Sequence, residues 1–322
     1  MVKVAIAGAN SGLALEVIDA LVRDQTHEVI ALVRKDPSGF PQQANVTWVR
    51  TDYQDKAELV KLFRGVSAVL NFIVVNNDPD SAVSKRLIDA AVEAGVHRFA
   101  PSEWAMGQKL RDVIDVVPWY QGKLDIQAYL RDINKDKKVI EYSFFHPGMF
   151  MEYISTPRQT TKHVPPMPTL WQLGSGRAVV VRGHEHDSIT VTSVDDIANI
   201  VRLAIEYEGV WPEIGGIQGQ QLSVTQFKSI VEAEGALPTG KTEFTIDFAE
   251  EEDVKKGVLN VYMPPLSHPS IPEDQRKAWH APGWSGMLYA MAHGAWTATD
   301  EWNKLLPDYK FKTIQEFVKV AI

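Results

Sequence analysis

The sequence predicts an α/β protein, with a doubly wound parallel sheet in its first half and a smaller α+β domain in its second. Three observations carry this. Short, largely apolar runs alternate with amphipathic windows through residue 145, the pattern of a parallel sheet covered by helices on both faces. A glycine turn, Gly8–Gly12, separates the first such run from the first helical window. Past residue 155 the alternation lapses into a stretch rich in Pro, Thr and Gly. The expected division is therefore residues 1–155 for the sheet domain and 156–322 for a substrate-binding domain, with the strand near 188–192 free to return to the first sheet.

Each element has its own signal. Val2–Ala7 is a run of Val, Ile and Ala, broken only by Lys3, and forms the first strand. Leu13–Arg23 places Ala14, Val17, Ile18 and Leu21 on one helical face, with Glu16, Asp19 and Arg23 off it. Glu28–Val33 and Val46–Arg50 are strands, and Lys56–Phe63 is a helix. Ala68–Val74 is the fourth strand, followed by a helix over Ser81–Ala94 that Gly95 ends. Arg98–Ala100 is a strand running into Pro101, Lys123–Asn134 a helix and Val139–Phe145 the sixth strand. Crossovers between such strands are right-handed.

The second half is less regular. Residues 157–177 read as a surface loop, and Ala178–Arg182 and Ser188–Val191 as strands. Val194–Glu206 is a helix with Ser193 as N-cap and Asp195 and Asp196 in its first turn. Ser223 caps a helix running through Ala233, Asp247–Lys256 reads as a charged helix, and Thr313–Val320 closes the chain as a short helix. Residues 262–286 carry five prolines and two tryptophans and show no period.

Composition removes several functions. With no cysteine there is no disulfide, no thiolate metal site and no cysteine nucleophile. Lys+Arg number 33 against 41 Asp+Glu, a net charge of -8, which argues against a nucleic-acid partner. The longest apolar stretch, Ala68–Val75, is interrupted by Asn71 and is far too short to span a membrane. A cytoplasmic protein with no membrane partner is expected. His184-Glu185-His186 offers two nitrogens and no third ligand at diagnostic spacing, so no metal is expected.

The turn Gly8-Ala9-Asn10-Ser11-Gly12-Leu13-Ala14 lies where a doubly wound fold holds a pyrophosphate. Glycine permits the tight turn and close backbone approach, and the helix N-terminus presents free N–H donors. Gly8, Asn10, Ser11, Gly12 and Leu13 are the candidate contacts, and Ala14 takes the packing position of a third glycine. The second strand ends in Arg34-Lys35, two cations that suit a ribose 2′-phosphate and favour NADP(H) over NAD(H). Ile73, at the end of the fourth strand, and Ser102, after the fifth, join the cofactor set.

The glycine turn, Leu32-Val33-Arg34 and Arg98-Phe99-Ala100-Pro101-Ser102-Glu103-Trp104 together resemble the NmrA-like and isoflavone-reductase-like branch of the atypical short-chain dehydrogenases. Ile189-Thr190-Val191-Thr192-Ser193-Val194-Asp195-Asp196-Ile197-Ala198 resembles the strand-then-helix segment of that branch. The resemblance covers most of residues 1–205, and its flavour is that of fungal members attached to secondary-metabolite pathways. It implies a Rossmann-like domain binding NADPH/NADP+ and a smaller domain closing over an aromatic or polycyclic small molecule. It also implies a lysine acting near the nicotinamide, and Lys123, 20 residues after Glu103, falls at that position. Two features depart from the pattern. The turn is one residue longer between its first two glycines, and Tyr120 stands three residues before Lys123 where the typical short-chain enzyme has four.

A lysine handles a proton when its pKa falls toward the working pH, which burial brings about. Lys123 and Tyr120 are accordingly candidate catalytic residues, sharing a helix face if the helix has begun by then. His146 follows the sixth strand, at the end that faces the ligand crevice in such sheets, and is a third candidate. Glu103, Met149, Phe150 and Tyr153 are the candidate pocket residues. Three functions remain open: an NADPH-dependent oxidoreductase with Lys123 as proton handler, a redox-mediated cyclase of an alkaloid-type pathway, and a non-catalytic NADP(H)-sensing regulator.

Overall fold

The computed structural model describes residues 2–268 and 271–321, so Pro269 of the proline-rich stretch lies outside the described residues. In chain order the elements are β1 (Val2–Ala7), α1 (Gly12–Val22), β2 (His27–Val33), β3 (Val46–Arg50), α2 (Lys56–Phe63), β4 (Ala68–Asn71), α3 (Ala82–Ala94), β5 (Arg98–Ala100), α4 (Gln121–Ile133) and β6 (Glu141–Tyr142). They continue with β7 (Phe144–His146), β8 (Met149–Phe150), α5 (Met151–Ile154), β9 (Trp171–Gln172), β10 (Arg177–Val181), β11 (Ile189–Thr192), α6 (Val194–Glu206), β12 (Ile214–Gly216) and β13 (Gln220–Leu222). The last are α7 (Val224–Ala233), β14 (Thr245–Ala249), α8 (Glu251–Lys255), α9 (Arg276–Ala292), α10 (Glu301–Leu305) and α11 (Ile314–Ala321).

The chain forms two compact units, each drawn from separate stretches of sequence. The first comprises Met1–Trp104, Trp119–Phe145 and Ile197–Gly215, and the second Ala105–Pro118, His146–Asp196 and Gly216–Ile322.

In the first unit, six parallel strands lie in the order β3-β2-β1-β4-β5-β6. This is the doubly wound Rossmann order, and it reverses between β1 and β4, where such sheets bind ligands. One core forms where Leu59, Val60 and Phe63 of α2, Leu87 and Ile88 of α3, and Ile126 and Leu130 of α4 meet sheet residues Ala5, Leu32, Val69 and Phe99. Leu59 and Phe63, Val83 and Leu87, and Ile126 and Leu130 are the i, i+4 pairs that give α2, α3 and α4 their apolar faces. Helix α6 is tied to the start of the sheet by Arg23 Nη1 to Asn199 Oδ1 at 3.3 Å and by His27 to Glu206 at 3.0 Å.

Arg98 is an internal tie of this unit. Its guanidinium donates to Glu141 Oε1 (2.9 Å) and to the carbonyls of Ala204 (3.4 Å), Tyr207 (2.7 Å) and Gly209 (2.6 Å). It thereby joins β5 and β6 to the C-terminal end of α6 and the turn that follows it. Burial pushes the Glu141 carboxyl up. Hydrogen bonds from Trp211, Lys138 and Arg98 more than offset that and hold it below the usual carboxylate range.

The second unit holds two three-stranded sheets, β14-β10-β9 and β13-β11-β8. Strand β11, the one left free to return to the first sheet, pairs antiparallel with β13 and parallel with β8. Ser223 and Gln226 close a capping box on α7, worth about 1 kcal/mol. Trp171 stacks on Phe227, which meets Phe244 edge-on. Ser193 Oγ accepts from Asp196 N at 3.1 Å, the N-cap of α6 that its sequence predicts.

Several boundaries differ from expectation. Strand β4 stops at Asn71, not Val74, because the Asn71 side chain turns back to accept from Ile73 N at 2.9 Å and bends the chain. Within 157–177, Trp171–Gln172 forms strand β9 against β10. The charged stretch Asp247–Lys256 is a strand end followed by a short helix, since Thr245–Ala249 pairs with β10. In the unperiodic stretch 262–286 the long helix α9 begins, running through Pro282. Proline and Gly283 inside the helix obscure the pattern that would announce it.

Candidate functional site

The glycine turn sits at the strand-order reversal of the first unit. Gly8 follows β1 with φ +69°, and a Cβ there would lie 2.8 Å from Ile73 N and 2.9 Å from Phe72 C, just past β4. Only glycine fits both the left-handed conformation and that approach. Ser11 caps α1, its hydroxyl accepting from Ala14 N at 3.4 Å. Ala14 is fully buried, in the packing place of a third glycine. Among the described residues, the amides of Asn10, Gly12 and Leu13 have no acceptor in the protein; for Gly12 and Leu13 this is how the first N–H groups of a helix are left. Asn10 is exposed, and Arg34 and Lys35 are exposed at the end of β2. Asp36 is turned away to cap the next turn, accepting from Ser38 N at 2.9 Å.

Tyr53 lies beneath this turn, and nothing in the sequence pattern singled it out. Its hydroxyl accepts from Gly8 N at 3.0 Å and donates to Leu32 O at 2.7 Å. Burial pushes it up to about 12. The Arg34 guanidinium stands 5.5 Å from the centre of its ring.

A second cluster follows β5. Helix α4 begins at Gln121, directly after a single turn of Pro118–Tyr120, so Lys123 lies in its first turn. Gly122 fits a close approach: a Cβ there would come within 3.1 Å of Ser81 Oγ. Lys123 is buried, donates from Nζ to the Glu103 carbonyl, and stands 4.8 Å from the centre of the Tyr120 ring. Burial pushes its ammonium down to about 8, with the Glu103 carboxylate partly opposing. Burial likewise pushes the Tyr120 hydroxyl up to about 12. Glu103 is itself buried and accepts from Gln127 Nε2 at 3.1 Å. Ser102 is half-buried beside it. Trp104 adopts φ +34°, donates from Nε1 to Asn71 O at 2.8 Å, and stacks on Phe72 and Phe145. That stack fixes the chain just past Glu103. Gln127 and Trp104 are partners that the sequence reading did not assign.

The other candidates belong to the second unit. His146 is 1 % exposed, and its carbonyl accepts from Ile217 N at 3.0 Å. Phe150 and Tyr153 stack at 5.2 Å, and Met149 Sδ accepts from Thr169 Oγ1 at 3.2 Å. Glu152, between them, accepts from Val194 N at 3.0 Å, and burial pushes its carboxyl up to about 7. His184 and His186 turn to different partners, Asp187 and Thr225. Among the described residues no cluster of three or more His, Asp or Glu is arranged to hold a metal, and no helix is long and apolar enough to cross a membrane.

Comparison with known proteins places this geometry in a family. The chain is 33% identical over 153 residues to an oxidoreductase, aprR, of Aspergillus flavus, covering 47% of this chain and 50% of that one. It is 26% identical over 199 residues to an oxidoreductase, BOA1, of Botryotinia fuckeliana, covering 58% and 64%. The chain thus matches half to two thirds of the length of these curated relatives. Among solved structures, triphenylmethane reductase of a Citrobacter species complexed with NADP(H) superposes with TM-score 0.68 at 19% identity, over 99% of this chain and 100% of that one. AtPrR2 with NADP+ and (+)pinoresinol superposes with TM-score 0.67 at 17% identity, over 100% and 99%. At those identities the likeness is one of fold. The model of the NmrA-like family matches residues 2–318, and the chain belongs to that family.

Proposed function

We propose that the protein is an NADP(H)-dependent oxidoreductase acting on an aromatic or polycyclic small molecule in a secondary-metabolite pathway. The observation that carries the cofactor half is the glycine turn at the strand-order reversal, with helix N-terminal amides left without acceptors in the described residues and Arg34 and Lys35 at the end of β2. That arrangement fits a dinucleotide: amides for the pyrophosphate, two cations for the 2′-phosphate. The names of its relatives support a redox activity, and the NADP(H) held by its structural neighbours supports the cofactor. The pinoresinol in one neighbour supports an aromatic substrate. The resemblance of residues 98–104 and 189–198 to fungal secondary-metabolite members supports the pathway.

When bound, the nicotinamide supplies or accepts hydride. In this reading the protein's own part is to orient the ring and to manage one proton. Lys123 gives that proton: with a pKa near 8 its ammonium is populated at neutral pH yet acidic enough to donate. The Glu103 carbonyl aims it, and the Tyr120 ring stabilises its charge. Ser102 and Ile73 are the remaining cofactor candidates of the first unit, and His146, Met149, Phe150 and Tyr153 are the substrate-binding candidates of the second.

The test is calorimetric titration with NADPH and NADH, followed by NADPH oxidation across a panel of quinones, lignans and arylmethane dyes. Tighter NADPH binding with turnover on one class supports the reading. Binding without turnover points to a regulator, and a product with a changed ring skeleton points to a cyclase. Absence of binding removes the reading.

A further inference from the structure

Tyr53 ties together two parts of the nucleotide site that the sequence treats as separate. It stands after β3, in a left-handed conformation (φ +63°) that a bulky residue adopts only when its surroundings impose it. Its surroundings do so at both ends. Its own amide donates to Thr51 Oγ1 at 3.1 Å, and its carbonyl accepts from Arg86 Nη1 at 2.8 Å. The side chain is 1 % exposed, and its hydroxyl bridges the Gly8 amide to the Leu32 carbonyl. One oxygen thus links the first residue of the glycine turn to the second strand two residues before Arg34. The upper face of the same ring carries the Arg34 guanidinium.

These contacts have a consequence for recognition. The Gly8 amide is spent on Tyr53 and Ala9 N donates to Leu32 O at 3.2 Å, which leaves the amides of Asn10, Gly12 and Leu13 for an anion. The hydroxyl bridge holds those donors at a set height above β2. The ring holds Arg34 at the mouth of the same site, reducing the rotamer freedom that an exposed arginine would lose on pairing with a phosphate. We propose that Tyr53 is a positioning residue for the dinucleotide: its hydroxyl sets the pyrophosphate turn and its ring sets Arg34 for the 2′-phosphate. This rests on the NADP(H) reading above and adds a residue through which affinity and NADPH-over-NADH preference are set separately.

The experiment compares dissociation constants for NADPH and NADH in wild type, Tyr53→Phe and Tyr53→Leu, with thermal melting as a control for folding. Tyr53→Phe removes the bridge and keeps the ring, so it weakens both nucleotides by a similar factor, roughly three- to ten-fold, and leaves their ratio unchanged. Tyr53→Leu loses the ring as well and lowers the NADPH-over-NADH ratio by a further factor of roughly three. In an Arg34→Ala background that further fall in ratio is absent. If Tyr53→Leu does not fold, Tyr53→Met reads the same ratio. Wild type that prefers NADPH, with unchanged constants in Tyr53→Phe or an unchanged ratio in the ring-free variant, overturns the role of Tyr53 alone. Wild type that binds neither nucleotide overturns it together with the cofactor reading.

Discussion

The Lys123 ammonium lies 4.8 Å from the centre of the Tyr120 ring, across the junction between a single 3-10 turn and helix α4. The typical short-chain spacing puts one more residue between such a pair. Here the early start of α4 at Gln121 restores the contact at i, i+3. The tyrosine presents its face to the lysine, so it acts on the ammonium through the ring quadrupole.

The pH dependence of turnover follows from Lys123. Its folded pKa is about 8 against the ordinary lysine value of 10.5, so the ammonium is lost above about pH 8. In the proposed role of proton donor it would make kcat fall above that pH, and a pH–rate profile reads the inflection. Lys123→Ala lowers kcat about a hundred-fold or more while NADPH still binds. Wild-type rates in that variant would remove the role. Because the unfolded chain keeps the proton to higher pH, folding stability rises between about pH 8 and 10.5. Lys123→Met abolishes that slope in urea titrations.

Arg34→Ala narrows the preference for NADPH over NADH about ten- to a hundred-fold, as expected for one charge-assisted pair with a phosphate. NADH binding is nearly unchanged, since the exposed Arg34 touches nothing else but the Tyr53 ring among its described contacts. Equal losses for both nucleotides would show that Arg34 serves the turn and not the phosphate.

Glu152 makes the protein less stable as pH rises. Its folded pKa of about 7 lies above the ordinary glutamate value of 4.5, because burial disfavours the carboxylate, with the Asp195 charge adding to it. Its contribution is therefore fully present below pH 4.5 and is lost as pH passes 7. Glu152→Gln keeps an acceptor for the Val194 amide and removes the titration. The variant is more stable than wild type at pH 8 by up to about 3 kcal/mol, and the two converge near pH 4, as chemical denaturation across that range will report.

Arg98→Ala takes the guanidinium from the buried Glu141 carboxylate, leaving it only Trp211 N and Lys138 as donors, and removes the Arg98 donors of the Tyr207 and Gly209 carbonyls. It costs about 3–5 kcal/mol, measured by denaturant unfolding. Replacing both residues, as in Arg98→Met with Glu141→Leu, costs less than the single change. A larger loss in the double variant would contradict an ion pair kept by mutual satisfaction.

The first unit was legible because each of its elements has a local cause. The strands β1 to β3 and β5, the periodic faces of α1 to α3 and the Gly95 stop act over a few residues and appear where their residues predict, whereas β4 ends early at Asn71 and the run Val139–Phe145 divides between β6 and β7 of different sheets. Helix α9 and strand β14 were not legible for the opposite reason. Pro282 and Gly283 blur one, and the other becomes a strand only because β10 lies beside it.

For the site, the amino-acid order alone determined the glycine turn, the Arg34-Lys35 pair and the family, since these rest on neighbours in sequence. Tertiary structure alone decided what each group meets. Tyr53 reaches Gly8 across 45 residues, Gln127 reaches Glu103 across 24, and Lys123 is driven toward a neutral form only by being buried. A pKa and a hydrogen bond belong to an environment, and the environment exists only once distant strands have paired.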